Sequence, residues 1–500
     1  MIRKIQRFLG IALMVSLGAC TLEPHYHRPP PPVPPLTAGA QGPDAQAAAD
    51  VGWREFFPDP QLRELIALAI GNNRDLRVAV LDVQLAQSRY RVQRAGLFPT
   101  IAANGTQVVE RLPSDVSGAG GATAGGSQTS PATGGSISRF FDVGIGFTSY
   151  ELDVFGRIRS LDHAALQQYF SSAETRRSVQ LTLVAEVANA YLTVLADQTL
   201  LDITRDTLKN QSESYALIQR QFGAGTSTEL ALAQAETTVD TAQANLAQYE
   251  RQIAEDRDAL QLLLGAEIPS EVNFSHGLDR GTLVAELEEG IASDVLIRRP
   301  DVLAAEHQLQ AANAQIGAAR AAFFPSVTLT GSYGTASNQL SGLFKGGSEA
   351  WSFSPQISVP LFTGGANLAN LQSSKLTRDT AIAQYEKAIQ TAFREVADAL
   401  VARGTLDRQV AAQQKLQTAS ATAYRLADMR YRGGVDSYLA ALDAQRSLYS
   451  AQQELTGVRL LRLQNLVTLY KALGGGVLER TSTAQMAPQP VPPPGSPGSN

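Results

Sequence analysis

The sequence predicts an α+β membrane chain built as two matching halves, each carrying a pair of short strands and a hairpin of long helices. Three observations predict it. A glycine turn and its flanking helices occur twice, about 209 positions apart: Phe222 aligns with Tyr431, Gly225 with Gly434, Leu230 with Leu439, Ala235 with Ala444, and Leu264-Gly265 with Leu473-Gly474. Four segments of about ten residues alternate apolar and polar side chains, which is the period of a strand. Each strand pair is followed by a long stretch without proline, Arg157 to Phe222 and Ala366 to Tyr431. A duplication of this extent argues for one architecture rather than the two or three domains that 500 residues would otherwise suggest.

The N-terminus opens with Arg3, Lys4 and Arg7, an apolar run from Phe8 to Leu17, and Leu17-Gly18-Ala19-Cys20. That is the layout of an export signal over 1–19. Its end resembles a bacterial lipobox in which Cys20, the one cysteine of the chain, is lipidated with palmitate-type acyl chains and becomes the mature N-terminus. Thr21 after the cysteine favours the outer membrane by resemblance to lipoprotein sorting. Past this segment, no run approaches the roughly 18–20 apolar residues of a transmembrane helix. A further meeting with a membrane has to be made by strands. The net charge of −5, with no basic stripe, excludes nucleic acid as a partner class.

A proline-rich spacer, Arg28 to Leu36, continues the lipidated segment 20–52, and it can form only extended polyproline structure. The first repeat, 53–282, starts at Trp53, Phe56, Asp59-Pro60, Leu62, Leu65 and Leu68, a loop feeding a short helix. A second helix, about Asn73 to Ala95, runs into AGLFPTI. About 226 positions later, within the second repeat 283–475, Asp301 matches Asp75, Arg320 matches Arg94, and AAFFPSV repeats the junction. Proline there stops a helix and starts an extended segment.

The strands are expected near 100–112, 139–152, 325–335 and 350–362. From Trp351 to Leu361 the apolar residues Trp351, Phe353, Ile357, Val359 and Leu361 alternate with Ser352, Ser354, Gln356 and Ser358. Val327, Leu329 and Tyr333 alternate with Ser326, Thr328, Thr330 and Ser332, and Phe141, Val143, Ile145 and Phe147 with Asp142, Gly144, Gly146 and Thr148. The fourth, from Ile101 to Leu112, is weaker. Their length suits membrane strands with apolar residues toward lipid and small polar ones toward a wet interior. A soluble sandwich shows the same alternation. In lipid, open sheet edges are not tolerated, so four strands per chain require several chains; three would give twelve strands. Two flexible loops, 113–138 and Ala336 to Glu349, join the strands of each pair.

Each long helix would span roughly 100 Å. In the first, Val187, Val194, Leu201, Leu208, Tyr215 and Phe222 recur every seven residues, a coiled-coil seam. The return helices, about Thr226 to Leu264 and Asp436 to Leu473, are shorter, and stacked end to end with the 73–95 or 299–322 helix they match the long one. At the second turn, Gly433 and Gly434 supply positive-φ positions, Asp436 stands where an N-cap belongs, and Leu439, Asp443 and Arg446 share one face. The first turn has Gln234 and Thr237 where the second has Asp443 and Arg446. Only the second presents ionic groups. Past 475 the tail, 476–500 with QPVPPPGSPGSN, reads as disordered.

The lipobox, WREFFPDPQLRELI, the duplicated FP junctions, ELDVFGR against PLFTGG, and YRGGVDSYLAALDAQRSLYSAQQ together resemble the outer membrane factor family of the TolC type, in its OprM or NodT-like efflux lipoprotein branch, from Cys20 to Gly475. The resemblance implies a homotrimer with one shared twelve-stranded barrel in the outer membrane and a long α-helical tunnel across the periplasm. It implies an exit duct for drugs and small amphiphiles, with a periplasmic adaptor protein and an inner-membrane transporter of the RND type as partners, and no enzyme activity and no cofactor. Carried over by position, Tyr431, Leu439, Asp443 and Arg446 form the periplasmic gate, and Gly223, Gly225, Gly433, Gly434, Val435 and Asp436 form the tips that meet the adaptor. Asp436 and Ala440 depart from the TolC pattern, so closure by Leu439 and Asp443 fits better than a double acid ring. Arg446 of the same or a neighbouring chain offsets the Asp443 charges, or the two are an ordinary solvated pair.

The five histidines, His25, His27, His163, His276 and His307, have no metal-binding spacing, and no phosphate loop or nucleophile elbow is present. A non-conducting envelope scaffold would account for Cys20 and the helices but not for two matching strand pairs. Protein secretion of the type I kind is the alternative cargo.

Overall fold

Four antiparallel strands form one sheet in the order β1-β2-β3-β4: β1 is Ile101–Leu112, β2 Ser136–Leu152, β3 Ser326–Ser337 and β4 Glu349–Ser358. The computed structural model describes residues 21–34, 50–112, 136–279, 284 and 293–481. The expected signal, the expected lipidation site Cys20, most of the loop 113–138 and the tail beyond Thr481 lie outside the described residues. The chain divides into two compact units. One, Leu85–Tyr169 and His307–Ile382 with the segment ending at Arg28, holds the sheet; the other, Pro29–Gln84, Phe170–Glu306 and the residues from Ala383 onward, is helical.

Register decides which residues share a face of the sheet. Ile145 pairs with Ala103 and Tyr333, and Tyr333 pairs with Trp351. Pleating therefore lines up Ile101, Val109, Val143, Ile145, Phe147, Tyr333, Trp351, Phe353 and Ile357 on one side. The other side carries Asn104, Thr106, Asp142, Thr328, Thr330, Ser332 and Ser352. The apolar side is bare: Trp351 is 77% exposed and Ile101 70%. A soluble sandwich would cover that face with a second sheet, and among the described residues there is only the one.

Two details of the strands differ from the sequence reading. In β2 the register shifts between Phe147 and Tyr150, where Ser149 takes φ 54° and its N–H donates to Thr330 Oγ1 at 3.3 Å. This bulge moves the apolar phase from odd to even positions, so Tyr150 and Leu152 continue the face of Phe147. Strand β4 stops at Ser358, opposite Ser326, the first residue of β3. Val359, Leu361 and Phe362 lie past it, because Pro360 has no N–H for a ladder and Gly364 and Gly365 turn the chain at positive φ.

In the same unit a strap, residues 21–28, lies on the helices. Arg320 Nη1 donates to the Leu22 carbonyl at 3.1 Å, Asn313 Nδ2 to that of Pro24 at 2.7 Å, and His163 Nδ1 meets Glu23 at 2.9 Å. Gly317 makes room for it, since a Cβ there would lie 2.9 Å from Glu23 Cα.

The helices are α1 (Trp53–Phe56), α2 (Pro60–Asn72), α3 (Arg74–Ala95), α4 (Arg157–Gly223), α5 (Glu229–Leu264), α6 (Pro300–Ala321), α7 (Ala366–Arg432) and α8 (Tyr438–Ala472). Burial of Trp53, Phe56, Phe57, Leu62, Leu65 and Ile66 explains the aromatic opening motif. Phe56 stacks on Tyr470 of α8, centroids 3.8 Å apart. The chain just past Gly475, expected to be disordered, is held there as far as Thr481: Trp53 N–H donates to the Leu478 carbonyl at 3.0 Å and Gly52 N–H to Thr481 Oγ1 at 3.1 Å.

The end-to-end junctions are built twice at equivalent positions. Asn73 Nδ2 donates to the Leu263 carbonyl at 2.8 Å, and Arg299 Nη1 donates to the Ala472 carbonyl at 3.0 Å. Asn73 and Arg299 are 226 positions apart, Leu263 and Ala472 209 apart. In each case the residue before a helix satisfies a carbonyl at the end of the return helix of its own repeat, one of the groups left open there.

The α4 seam is correct only in part. Val187, Val194 and Leu201 are buried, but Phe222 is 42% exposed, and the buried line passes instead to Thr204, Gln211 and Ile218. The helix runs past α2 along its length while α8 stays beside it, Gln464 of α8 donating to Thr193 at 3.2 Å. Tyr191 donates to Asp59 at 2.7 Å, whereas Thr204 meets the Tyr449 hydroxyl of α8 at 2.9 Å. The same helix contains an 18-residue window apolar enough to cross a membrane by composition, which the sequence reading passed over. With 67% of that window buried inside the protein, it reads as core.

Candidate functional site

Both turns close in the same way. After α4, Gly225 takes φ 72° and Thr226 N–H donates back to the Gln221 carbonyl at 2.9 Å; after α7, Gly434 takes φ 73° and Val435 N–H donates to the Arg430 carbonyl at 2.9 Å. This is the left-handed glycine stop of a helix. Gly433 is not a positive-φ position, contrary to the expectation. Its N–H still makes the helical bond to Met429, and the first turn has Ala224 in its place. A Cβ added at Gly223, Gly225 or Gly434 would meet nothing within 4 Å, so the tips stand in open space, with Val435 66% exposed.

Asp436 does not cap α8. The N-cap is Ser437, as Thr228 is for α5, where Thr228 Oγ1 accepts from Ala231 N–H at 3.2 Å. Asp436 turns back over the glycines to Arg430, which grips it through Nε at 2.5 Å and Nη2 at 3.0 Å. A two-pronged guanidinium outcompetes a single backbone N–H for an exposed carboxylate. That hydrogen bond holds the Asp436 carboxyl below its usual range. Arg432 pairs with Asp428, one turn before it, at 2.8 Å.

The two turns pack on each other through Ile218, Ala235, Tyr438 and Leu442. Tyr431 joins this contact: its hydroxyl donates to Gln221 Oε1 at 3.1 Å and its ring lies 5.4 Å from that of Tyr438. Burial pushes the Tyr431 phenol up. Along α8 the buried positions Tyr438, Ala441, Leu442 and Gln445 follow helical spacing. Leu439, Asp443 and Arg446 necessarily take the opposite face, and all three are exposed. The structure thus separates the four residues: Tyr431 faces the first turn, while the other three share a free surface. Among the described residues no ion pair joins Asp443 to Arg446 within the chain. Sequence reasoning missed Arg430, although opposite charges flanking a glycine pair were visible, and it missed Gln221.

The family profile described as "Outer membrane efflux protein" matches residues 65–266 and 291–475. This chain belongs to the outer membrane efflux protein family. Among its relatives, the toluene efflux pump outer membrane protein TtgF of Pseudomonas putida is 47% identical over 479 residues, 94% of this chain and 96% of the relative. Outer membrane protein OprJ of Pseudomonas aeruginosa is 42% identical over 468 residues, 93% of this chain and 95% of the relative. The open-state structure of the Neisseria gonorrhoeae MtrE outer membrane channel superposes with a TM-score of 0.82 at 40% identity, covering 93% of this chain and all of that one. The protein is accordingly an efflux protein of the outer membrane, with the fold of an outer membrane channel, and the two matched spans fall one in each repeat.

Proposed function

We propose that this outer membrane efflux protein is the exit duct of a tripartite pump. Three copies close their sheets into one twelve-stranded barrel, Cys20 carries the acyl anchor, and the helices form a tunnel across the periplasm. The observation that carries this reading is the four-stranded sheet, the only one among the described residues, with one bare apolar face and two edges, β1 and β4, that no described strand pairs, an arrangement that lipid and neighbouring copies would complete. The free surface of Leu439, Asp443 and Arg446 supports a gate at the second turn. Repeated around an axis, it would set three apolar side chains and three carboxylates against one another, with Arg446 offsetting the charge within or between copies.

The tips at Gly223, Gly225, Gly433, Gly434, Val435 and Asp436 offer open backbone to the helical hairpins of a periplasmic adaptor, and an inner-membrane transporter of the RND type loads the cargo. Relatives named for toluene, solvent and antibiotic efflux support small amphiphilic cargo over secreted protein. Native mass spectrometry of the detergent-solubilised mature protein, followed by planar-bilayer recording, tests the duct. A trimer that inserts and conducts is expected. A monomer, or a protein that never conducts, favours the scaffold and overturns the proposal.

A further inference from the structure

One polar contact in the helical unit belongs neither to the turns nor to the junctions. Asp197 on α4 is 6% exposed, and Asp256 on α5 is half-buried. In each, Oδ2 is sealed from solvent and, among the described residues, receives no hydrogen bond from any N–H or O–H donor, yet the two carboxyls lie within hydrogen-bond reach of each other.

The nearby cations are engaged elsewhere. Arg205 sits between Asp202 at 3.6 Å and Glu250 at 3.7 Å, Arg251 is with Glu255 at 3.9 Å, and Arg257 lies over the ring of Phe274 at 5.1 Å. The titratable groups that bear on the pair from the packed helices are Tyr249 of α5 and, from α8, Tyr449, which stands against Tyr249. Neither is a cation. Two carboxylates in such a place cannot both stay ionised without a large penalty.

The second repeat solves the same position without acids. Leu406 stands at the place of Asp197 and Asn465 at that of Asp256. Asn465 Nδ2 donates to the Ala399 carbonyl at 2.9 Å. A helix hairpin of this shape therefore does not need the acid pair.

The geometry points to a single proton shared between Asp197 and Asp256, a hydrogen bond that clasps α4 to α5 and gives way to repulsion between two enclosed carboxylates when the proton leaves. Burial, with the Asp256 carboxyl beside it, pushes Asp197 up to about 7. An unfolded aspartate titrates near 3.9. Between those values the folded chain holds a proton that the unfolded chain has released. The stabilisation is whole below the unfolded value, falls as pH rises, and is gone once pH passes about 7.

The test is thermal melting of the full mature protein in detergent, stepped from about pH 5 to about pH 8. Wild type is compared with Asp256→Asn and with the double variant Asp197→Leu, Asp256→Asn, which copies the second repeat and so retains a proven packing. The wild-type midpoint is expected to drop by several degrees more than that of the double variant across this window. Parallel curves for the two would overturn the shared proton. A wild-type midpoint at neutral pH that falls on adding EDTA, with the double variant unaffected, would place a divalent cation between the carboxylates and overturn it equally.

Discussion

Replacing Arg299 by Met should loosen the second-repeat junction by a predictable amount. The guanidinium is 7% exposed and closes three contacts: the Ala472 carbonyl at 3.0 Å, Asp301 at 2.7 Å and Glu395 at 2.8 Å. Burial alone would weaken its charge, but the two carboxylates more than compensate and raise its affinity for the proton. Methionine keeps much of the volume and removes every donor. The Ala472 carbonyl then ends a helix with no partner, a loss of about 1–3 kcal/mol. The carboxylates of Asp301 and Glu395 are 38% and 36% exposed, so water recovers most of their loss and each adds only about 0.2–1 kcal/mol.

The expected cost is thus about 1.4–5 kcal/mol, reaching at its upper end the roughly 3–5 kcal/mol of a fully buried broken pair. Denaturant unfolding of the detergent-solubilised protein reads it. The first-repeat counterpart, Asn73→Ala, loses the bond to Leu263 and the one its Oδ1 accepts from Leu76 N–H, both 2.8 Å and both uncharged, and should cost less. An Arg299→Met variant within about 0.5 kcal/mol of wild type, the range of an ordinary surface change, would refute the reasoning.

Other outcomes follow from single positions. Gly434→Ala forces a Cβ onto a φ of 73° and should destabilise by about 1–2 kcal/mol, whereas Gly433→Ala, copying Ala224, should change the melting midpoint little. Equal effects would contradict the turn geometry. Gly317→Ala brings a Cβ to 2.9 Å from Glu23 Cα, so it should lift the N-terminal strap and expose residues 21–28 to limited proteolysis. An unchanged cleavage pattern there would show that the strap does not depend on the close approach.

Much of the fold was legible because its signals are local and periodic. Alternation in β3 and β4 marked the apolar face, and the 209 and 226 offsets marked the repeated turns and helix-to-strand junctions, but not the junction residues Asn73 and Arg299, whose partners lie far along the chain. What escaped reading depends on distant partners. The bulge at Ser149 reverses the phase of β2 because of its pairing with β3. The α4 seam leaves Leu201 for Thr204 and Gln211 where the helix has run past α2, and polar residues, Thr204 bonded to Tyr449 of α8 among them, then occupy the buried line. At the site, the helical spacing of Leu439, Asp443 and Arg446 placed them together, as found. Tyr431 sits on another helix, and only its contact with Gln221 shows which way it faces. The place of Asp436 after the glycines suggests a cap, but its clasp to Arg430 spans six residues, a separation that no helical periodicity suggests.

In the proposed duct, the exposed face of α8 closes a conducting trimer. Single-channel recording of the reconstituted mature protein, comparing wild type with Leu439→Ala and Asp443→Ala, tests it most directly. A small wild-type conductance that rises in both variants is expected, because each removes a side chain from the proposed constriction without touching the buried face of Tyr438 and Leu442. Conductance identical in all three would contradict a gate at the second turn.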